Sequence, residues 1–519
     1  VFLIISILLL LTEEPPITHS MMGKFQGTWM VTRRGRPIQA YRGIRYAEPP
    51  VKKLRFQPPK PILKYHNIVD ATKDGPACPA HTFPGYHVAE DCLTINVYTP
   101  GHISPKLLPV IFFMHPGGFY SLSGRSDVAG PHYLLDKDLV LVTINYRLGS
   151  LGFLALGNKL APGNNGFKDQ VVALKWVQAN IAAFGGDPDL VTIAGCSSGA
   201  VSVMVHMVSP MSKGLFHRGI SLSGSGTEKV PLPSHRLDLA EKQARASKCP
   251  ANDTSALFAC LKTVGWRDIA GSLLKFFEFG YDPLSLWRPV VEPDFGQERF
   301  LVEDPMLSIR EGRFQAVPFI ISQTTGEFFF KAYILLETVN KEWDRIAPIS
   351  FILPRNETKD RLATLRRTYL GDKPILNNTA SVRWLGKLYG DAVVGFPVHR
   401  MANLMCRHSS QPVYYSLFAY VGNHSHYEDP FTGKTVRPLA AHHDDLIYLF
   451  SLTYRFPLIE VADTQDSKMV DKMTGIYQYS SVPPAMRNYL RIDADFKVLQ
   501  NLYEPRFRMW DELYPIQYD

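Results

Sequence analysis

Gly195-Cys196-Ser197-Ser198-Gly199 is the stretch on which the fold turns. It reads G-x-S-x-G, the pattern of a sharp strand-to-helix turn that holds a serine out in the open. Before it, Leu190-Val191-Thr192-Ile193-Ala194 is a short apolar, partly β-branched run, as a buried strand requires. After it, Ala200 to Met207 is apolar nearly all round, as a buried helix requires. So tight a turn has no room for flanking side chains. Gly195 and Gly199 leave that room, and Ser197 Oγ is pushed outward.

Working outward, the same alternation recurs. Val110-Ile111-Phe112-Phe113-Met114 is a continuous apolar run, the mark of a strand covered on both faces, and it ends in His115-Pro116-Gly117-Gly118-Phe119. Leu139 to Tyr146 predicts another buried strand. Asp169 to Ala183 predicts a helix, with Val171, Leu174, Val177 and Ile181 at helical spacing. Val317 to Ser322 and Val413 to Tyr420 predict two more strands, and short strands are expected near 28–32, 38–47 and 90–100. The stretch 228–310 reads as helical insertions, and the chain from about Ala485 reads as helix ending near Trp510. This pattern predicts an α/β fold, with a mostly parallel twisted sheet flanked by helices and interrupted by long insertions.

The chain has 519 residues, 45% hydrophobic and 20% charged, an ordinary globular balance. No internal repeat, low-complexity tract or long Gly/Ser linker divides it, so residues 21–519 read as one domain. Net charge is +8, yet Lys and Arg are scattered and no nucleic-acid-binding signature accompanies them, which argues against a nucleic-acid partner. Val1 to Leu11 is apolar except for Ser6 and too short to span a bilayer. It reads as the core of a secretory signal occupying 1–20 with its first residues missing. No other segment is long and apolar enough for a span, and Leu513 to Asp519 carries neither an anchor tail nor an ER-retention tetrapeptide. Secretion agrees with N-x-S/T sequons at Asn252, Asn356, Asn377 and Asn423. Of the six cysteines, Cys78 with Cys92 and Cys249 with Cys260 would each close a short loop, worth at most about 3 kcal/mol. Cys196 and Cys406 are left over. No Cys/His spacing suits a metal, and His424, His426, Glu428 and Asp429 read as a polar loop beside Asn423.

A serine hydroxyl is a poor nucleophile until a base takes its proton, and the base needs a partner that fixes its tautomer. In open α/β sheets such groups lie at the carboxyl ends of strands. Glu327 directly follows one predicted strand. His442 and His443 both lie in a loop after another, and spacing alone leaves the two open. The order Ser…Glu…His suits this turn. The Gly117-Gly118 turn offers backbone N–H groups to an oxyanion.

Further motifs extend the pattern. Glu90 to Val97 reads E-D-C-L-T-I-N-V, and Asn145 to Phe153 reads N-Y-R-L-G-S-L-G-F. Gly163 to Gln170 reads G-N-N-G-F-K-D-Q, and Phe184 to Pro188 reads F-G-G-D-P. In this order, over roughly residues 20 to 515, the chain resembles the type-B carboxylesterase/cholinesterase family of the α/β-hydrolase fold, and in particular the secreted insect esterases. The resemblance implies Ser197 as nucleophile, Glu327 as triad acid and His442, not His443, as base. It implies an oxyanion hole of Gly117, Gly118 and Ser198, and disulfides Cys78–Cys92 and Cys249–Cys260. It implies no metal or organic cofactor.

The departures from the family pattern carry information. Cys196 stands where the family usually has an acid, so cationic substrates should be held less well. Pro116 replaces a glycine of H-G-G-G and has no N–H. Phe328 follows Glu327 where Gly is usual, which implies a differently shaped loop. The loop from Cys78 to Cys92 has no Trp to bind a quaternary ammonium, which argues against acetylcholine. Leu439 replaces the glycine usual three residues before the His in juvenile hormone esterases. The expectation is a secreted serine carboxylesterase acting on small-molecule esters through a Ser-His-Glu triad and an acyl-enzyme. The alternatives are a catalytically inactive adhesion relative, a juvenile-hormone-type esterase, or a peptide or thioester hydrolase with the same triad.

Overall fold

Fourteen strands are described, and the central ones follow from apolar runs that must bury both faces. In chain order they are β1 (Ile17–Ser20), β2 (Gly23–Gln26), β3 (Thr28–Val31), β4 (Pro37–Arg45), β5 (Val69–Asp70), β6 (Thr94–Pro100) and β7 (Leu108–Met114). Then come β8 (Val140–Ile144), β9 (Gly186–Cys196), β10 (Arg218–Leu222), β11 (Phe319–Thr324), β12 (Val413–Phe418), β13 (Asn488–Ile492) and β14 (Phe496–Gln500). The computed structural model describes residues 14–80, 85–102, 104–371, 375–376, 378–426, 439–476 and 488–516. The expected secretory core at Val1–Leu11 and the sequon at Asn377 lie outside them.

Among the described residues, β1, β2 and β5 form a small sheet. The remaining eleven strands form one large sheet in the order β14-β13-β12-β11-β10-β9-β7-β8-β6-β4-β3. Its centre, from β8 across to β13, is parallel throughout. Successive residues of β7 point to opposite sides: Val110, Phe112 and Met114 enter one apolar layer, Ile111 and Phe113 the other. The chain runs from β7 to β8 on one side, then returns to β9 on the other side of β7. That reversal opens a crevice at the carboxyl ends of β7 and β9, where open α/β sheets bind ligands.

The α/β-hydrolase architecture expected from the motifs is the one observed. The helix expected from Asp169 begins one turn earlier and spans Asn165–Asn180, passing into a short tight turn at Ile181–Phe184. β1 lies within the 1–20 stretch read as leader and pairs with β2. The C-terminal reading needs correction. Residues 488–500 are not helical but an antiparallel hairpin, and the last helix is only Glu504–Leu513. Leu490 and Ile492 alternate into the core beside β12, which a helix there would not allow.

Several resembling motifs are structural. Arg147 and Asp169 form a buried pair at 2.6 Å, and Lys168 meets Glu292 at 2.6 Å. Asn164 also donates to Glu292. Arg55 holds Glu90, likewise buried. Each pair satisfies charges that burial would otherwise penalise by several kcal/mol. Cys78–Cys92 and Cys249–Cys260 are disulfide-bonded.

Candidate active site

The turn between β9 and the helix Ser198–Val208 places Ser197 at φ 54°, ψ −118°. Three glycines permit it. A Cβ on Gly195 would lie 2.2 Å from Gly199 O, and one on Gly199 would lie 2.0 Å from Met114 O. A Cβ on Gly224 would lie 2.3 Å from Ser197 O. The Ser197 N–H donates to Leu222 O at 2.8 Å, tying the turn to β10.

Glu327 lies in the turn after β11, and His442 in the loop after β12. The two loops are pinned together, because the Gly326 N–H donates to Ala440 O at 2.8 Å. His442 Nδ1 donates to Glu327 Oε2 at 2.5 Å. Glu327 Oε1 accepts from Ser223 Oγ and from the Thr324 N–H, each at 2.6 Å. This carboxylate is therefore buried yet satisfied at both oxygens. With Nδ1 carrying the hydrogen, His442 Nε2 is left as a proton acceptor. That nitrogen is buried without a hydrogen-bond partner, and its ring lines the same cavity as Ser197.

Phe328 takes φ 49°, a backbone geometry that glycine favours, so the loop keeps the shape a glycine would allow. Its ring sits 4.0 Å from that of His442. His443 also packs on His442, at 4.0 Å, and burial together with His442 and His426 pushes its imidazole well below the ordinary range. Of the two histidines that spacing left open, only His442 reaches Glu327.

Gly117 (φ 118°) and Gly118 (φ 62°) follow β7 in conformations open to glycine. Their N–H groups and that of Ser198 donate to no acceptor among the described residues. Pro116 leaves its carbonyl to accept from His115 Nδ1 at 2.7 Å. Tyr146 OH in turn donates to His115 O at 2.9 Å, and the two rings stack at 4.4 Å. Burial pushes His115 down to about 4, so it braces the loop as a neutral ring.

The cavity holds about 380 Å³. Among the described residues, thirteen with side chains have positive φ, and seven of them line this cavity: Phe119, Leu122, Ser197, Ser223, Phe328, Ile352 and His443. Strained backbone concentrates where function demands geometry. The walls mix apolar groups such as Tyr120, Phe330, Val393 and Pro397 with Lys229, Glu228 and Arg455. Burial pushes Lys229 down to about 7, and its ammonium donates to the carbonyls of Phe351 and Ala392. Cys196 does not line the cavity but is wholly buried in the apolar layer with Ala194, Ile220 and Leu222. Near it, Asp445 is buried with Oδ2 unpartnered; burial and then Glu327 push its carboxyl up to about 8.

Sequence reasoning missed Ser223, His115, Tyr146 and Asp445. Ser223 was legible in principle: it directly follows β10, the neighbour of β9, and opens the small-residue run Ser223 to Gly226. The described residues hold no group of three His, Cys, Asp or Glu suited to a metal. Asn252, Asn356 and Asn423 are exposed.

Comparison with known proteins identifies the family. A profile described as "Carboxylesterase family" matches residues 14–479. Juvenile hormone esterase of Tribolium castaneum is 35% identical, over 85% of this chain and 79% of that protein. Venom carboxylesterase-6 of Apis mellifera is 34% identical, over 90% and 85%. Esterase FE4 of Myzus persicae is 35% identical, over 90% and 84%. The crystal structure of juvenile hormone esterase from Manduca sexta, with OTFP covalently attached, superposes with a TM-score of 0.83 at 26% identity, covering 97% of this chain and all of that one. The chain belongs to the carboxylesterase family, the hydrolases of carboxylic esters.

Proposed function

We propose that the ester is cleaved by Ser197, His442 and Glu327 acting as a triad. His442 Nε2 takes the Ser197 proton as Oγ attacks the ester carbonyl. The N–H groups of Gly117, Gly118 and Ser198 stabilise the oxyanion; losing one such donor costs about 3 kcal/mol of transition-state stabilisation. His442 then gives its proton to the leaving alcohol. It next takes one from water, which releases the acid from the acyl-enzyme. Glu327 holds the imidazole and steadies its charged form. The observation that carries this reading is the buried, unpartnered Nε2 of His442, on the cavity shared with Ser197, while Nδ1 is held by Glu327.

The test is turnover of a p-nitrophenyl ester before and after treatment with an organophosphate. Turnover that stops as one phosphoryl group joins Ser197 supports the triad. Absence of both turnover and labelling favours an adhesion role.

A juvenile-hormone-type substrate is a second reading, favoured by the similarity to juvenile hormone esterases of two insects. Cys196 and Leu439 depart from the residues usual in that subfamily. Hydrolysis of a long apolar methyl ester, compared with short p-nitrophenyl esters, separates the two. Secretion is part of the proposal. It is supported by the apolar N-terminal run, two disulfides and three exposed sequons. With β1 pairing from Ile17, the leader would end before that strand, and the rest of the chain would act as one domain.

A further inference from the structure

We infer that a second cavity, behind Glu327, is a binding site for a small oxyanion, either a carboxylate or a phosphate. It holds about 230 Å³ and shares two walls with the ester cavity. In the turn after β11, Phe328 faces the ester cavity while Glu327 and Phe329 face the second. In the wide helical turn Asp391–Gly395, Val393 and Val394 face the first and Asp391 and Gly395 the second.

Its charge is unbalanced. Arg383, Lys387, Arg491 and Arg506 line it, against Glu327 and Asp391. Both acids are already engaged. Glu327 holds His442, and Asp391 accepts from Arg506 and from Tyr369 OH, each at 2.6 Å. Arg491 pairs with Asp493. Arg383 meets no acid among the described residues, and no carboxylate pairs with Lys387, whose ammonium lies 4.0 Å from the Trp384 ring. Burial first, then Arg506 and Arg383, push the Lys387 ammonium down, against a smaller opposing pull from Asp391.

A second observation is independent of charge. Thr324 is 2% exposed, lines this cavity, and its Oγ1 has no hydrogen-bond partner. A buried hydroxyl left unsatisfied pays its desolvation unreturned, and an oxyanion acceptor would restore the lost hydrogen bond. The backbone is also shaped for the purpose. Arg383, Gly386, Lys387 and Gly390 share one face of the helix Thr379–Gly390. A Cβ on Gly386 would lie 2.6 Å from the Phe329 ring, and one on Gly390 2.6 Å from Glu327 O. The two glycines thus let the helix carry its cations against the Glu327 turn. Ala419 and Leu439 supply an apolar wall for a short organic tail.

The experiment follows thermal unfolding of the full chain with increasing butyrate, and separately inorganic phosphate, at constant ionic strength. It is run on untreated and on organophosphate-treated enzyme. The expected result is a saturable rise in Tm that survives treatment. Half-saturation should move at least about tenfold higher in the Arg383→Gln/Lys387→Gln variant, whose retained ester turnover shows that it folds. Thr324→Val should weaken binding as well. A response to butyrate alone identifies the acid class that ester hydrolysis releases, and one to phosphate alone an inorganic ligand. No saturable rise, unchanged half-saturation in the double variant, or a rise abolished by treatment overturns the proposal.

Discussion

Phe328 carries a bulky side chain at a φ where most residues lose about 1–2 kcal/mol. Its ring contact with His442 offsets that cost. Phe328→Gly should therefore leave Tm nearly unchanged while kcat/KM for a p-nitrophenyl ester falls several-fold, because the imidazole loses a wall. Glu327→Gln should cost far more, about 10³–10⁴ in kcat, since an amide cannot hold His442 in the same tautomer or steady its charge. Single-turnover kinetics on both variants separates the two effects. Asp445 makes a pH prediction. Its carboxyl is raised to about 8, so the folded chain keeps a proton that the unfolded chain loses near 4. Between those values folding binds more protons, and stability falls as pH rises, by at most about 1.4 kcal/mol per unit. Asp445→Asn removes this slope. Urea unfolding at pH 5 and pH 8 should show the variant gaining on the parent as pH rises; equal slopes would refute the assignment.

Among elements, legibility followed periodicity. The strands around the turn at Ser197 were readable because their runs are apolar on both faces. Glu327 was readable because it directly follows such a strand. His442 was not distinguishable from His443 by spacing, since the distinction lies in which ring meets a carboxylate 115 residues away. The β13–β14 hairpin was missed because its outer strand is exposed along its whole length and shows no alternation. Its three-residue turn, Asp493-Ala494-Asp495, was the available signal. The insertion carrying helices Leu237–Ala246 and Thr254–Thr263 packs in a small apolar cluster that it shares with Phe56, Leu151 and Leu154, and is tied by Cys249–Cys260. Replacing both cysteines by Ser should lower stability by about 3 kcal/mol, read by chemical denaturation. Ester turnover in the folded fraction should be unchanged.

At the scale of the whole molecule, three groups distant in the chain converge because β9, β10, β11 and β12 are sequential neighbours in one sheet. The +8 charge has no single face in the sequence; in the cavity behind Glu327 the lining cations outnumber the acids. The bare α-carbon of Gly199 rests on the carbonyl of Met114, so nothing cushions the helix that follows Ser197 from the strand that leads to Gly117. Catalytic competence then has no independent hinge to lose on warming. Inactivation half-lives and the decay of far-ultraviolet ellipticity should share one temperature, and an enzyme that dies while its sheet stays intact would mean this contact yields first.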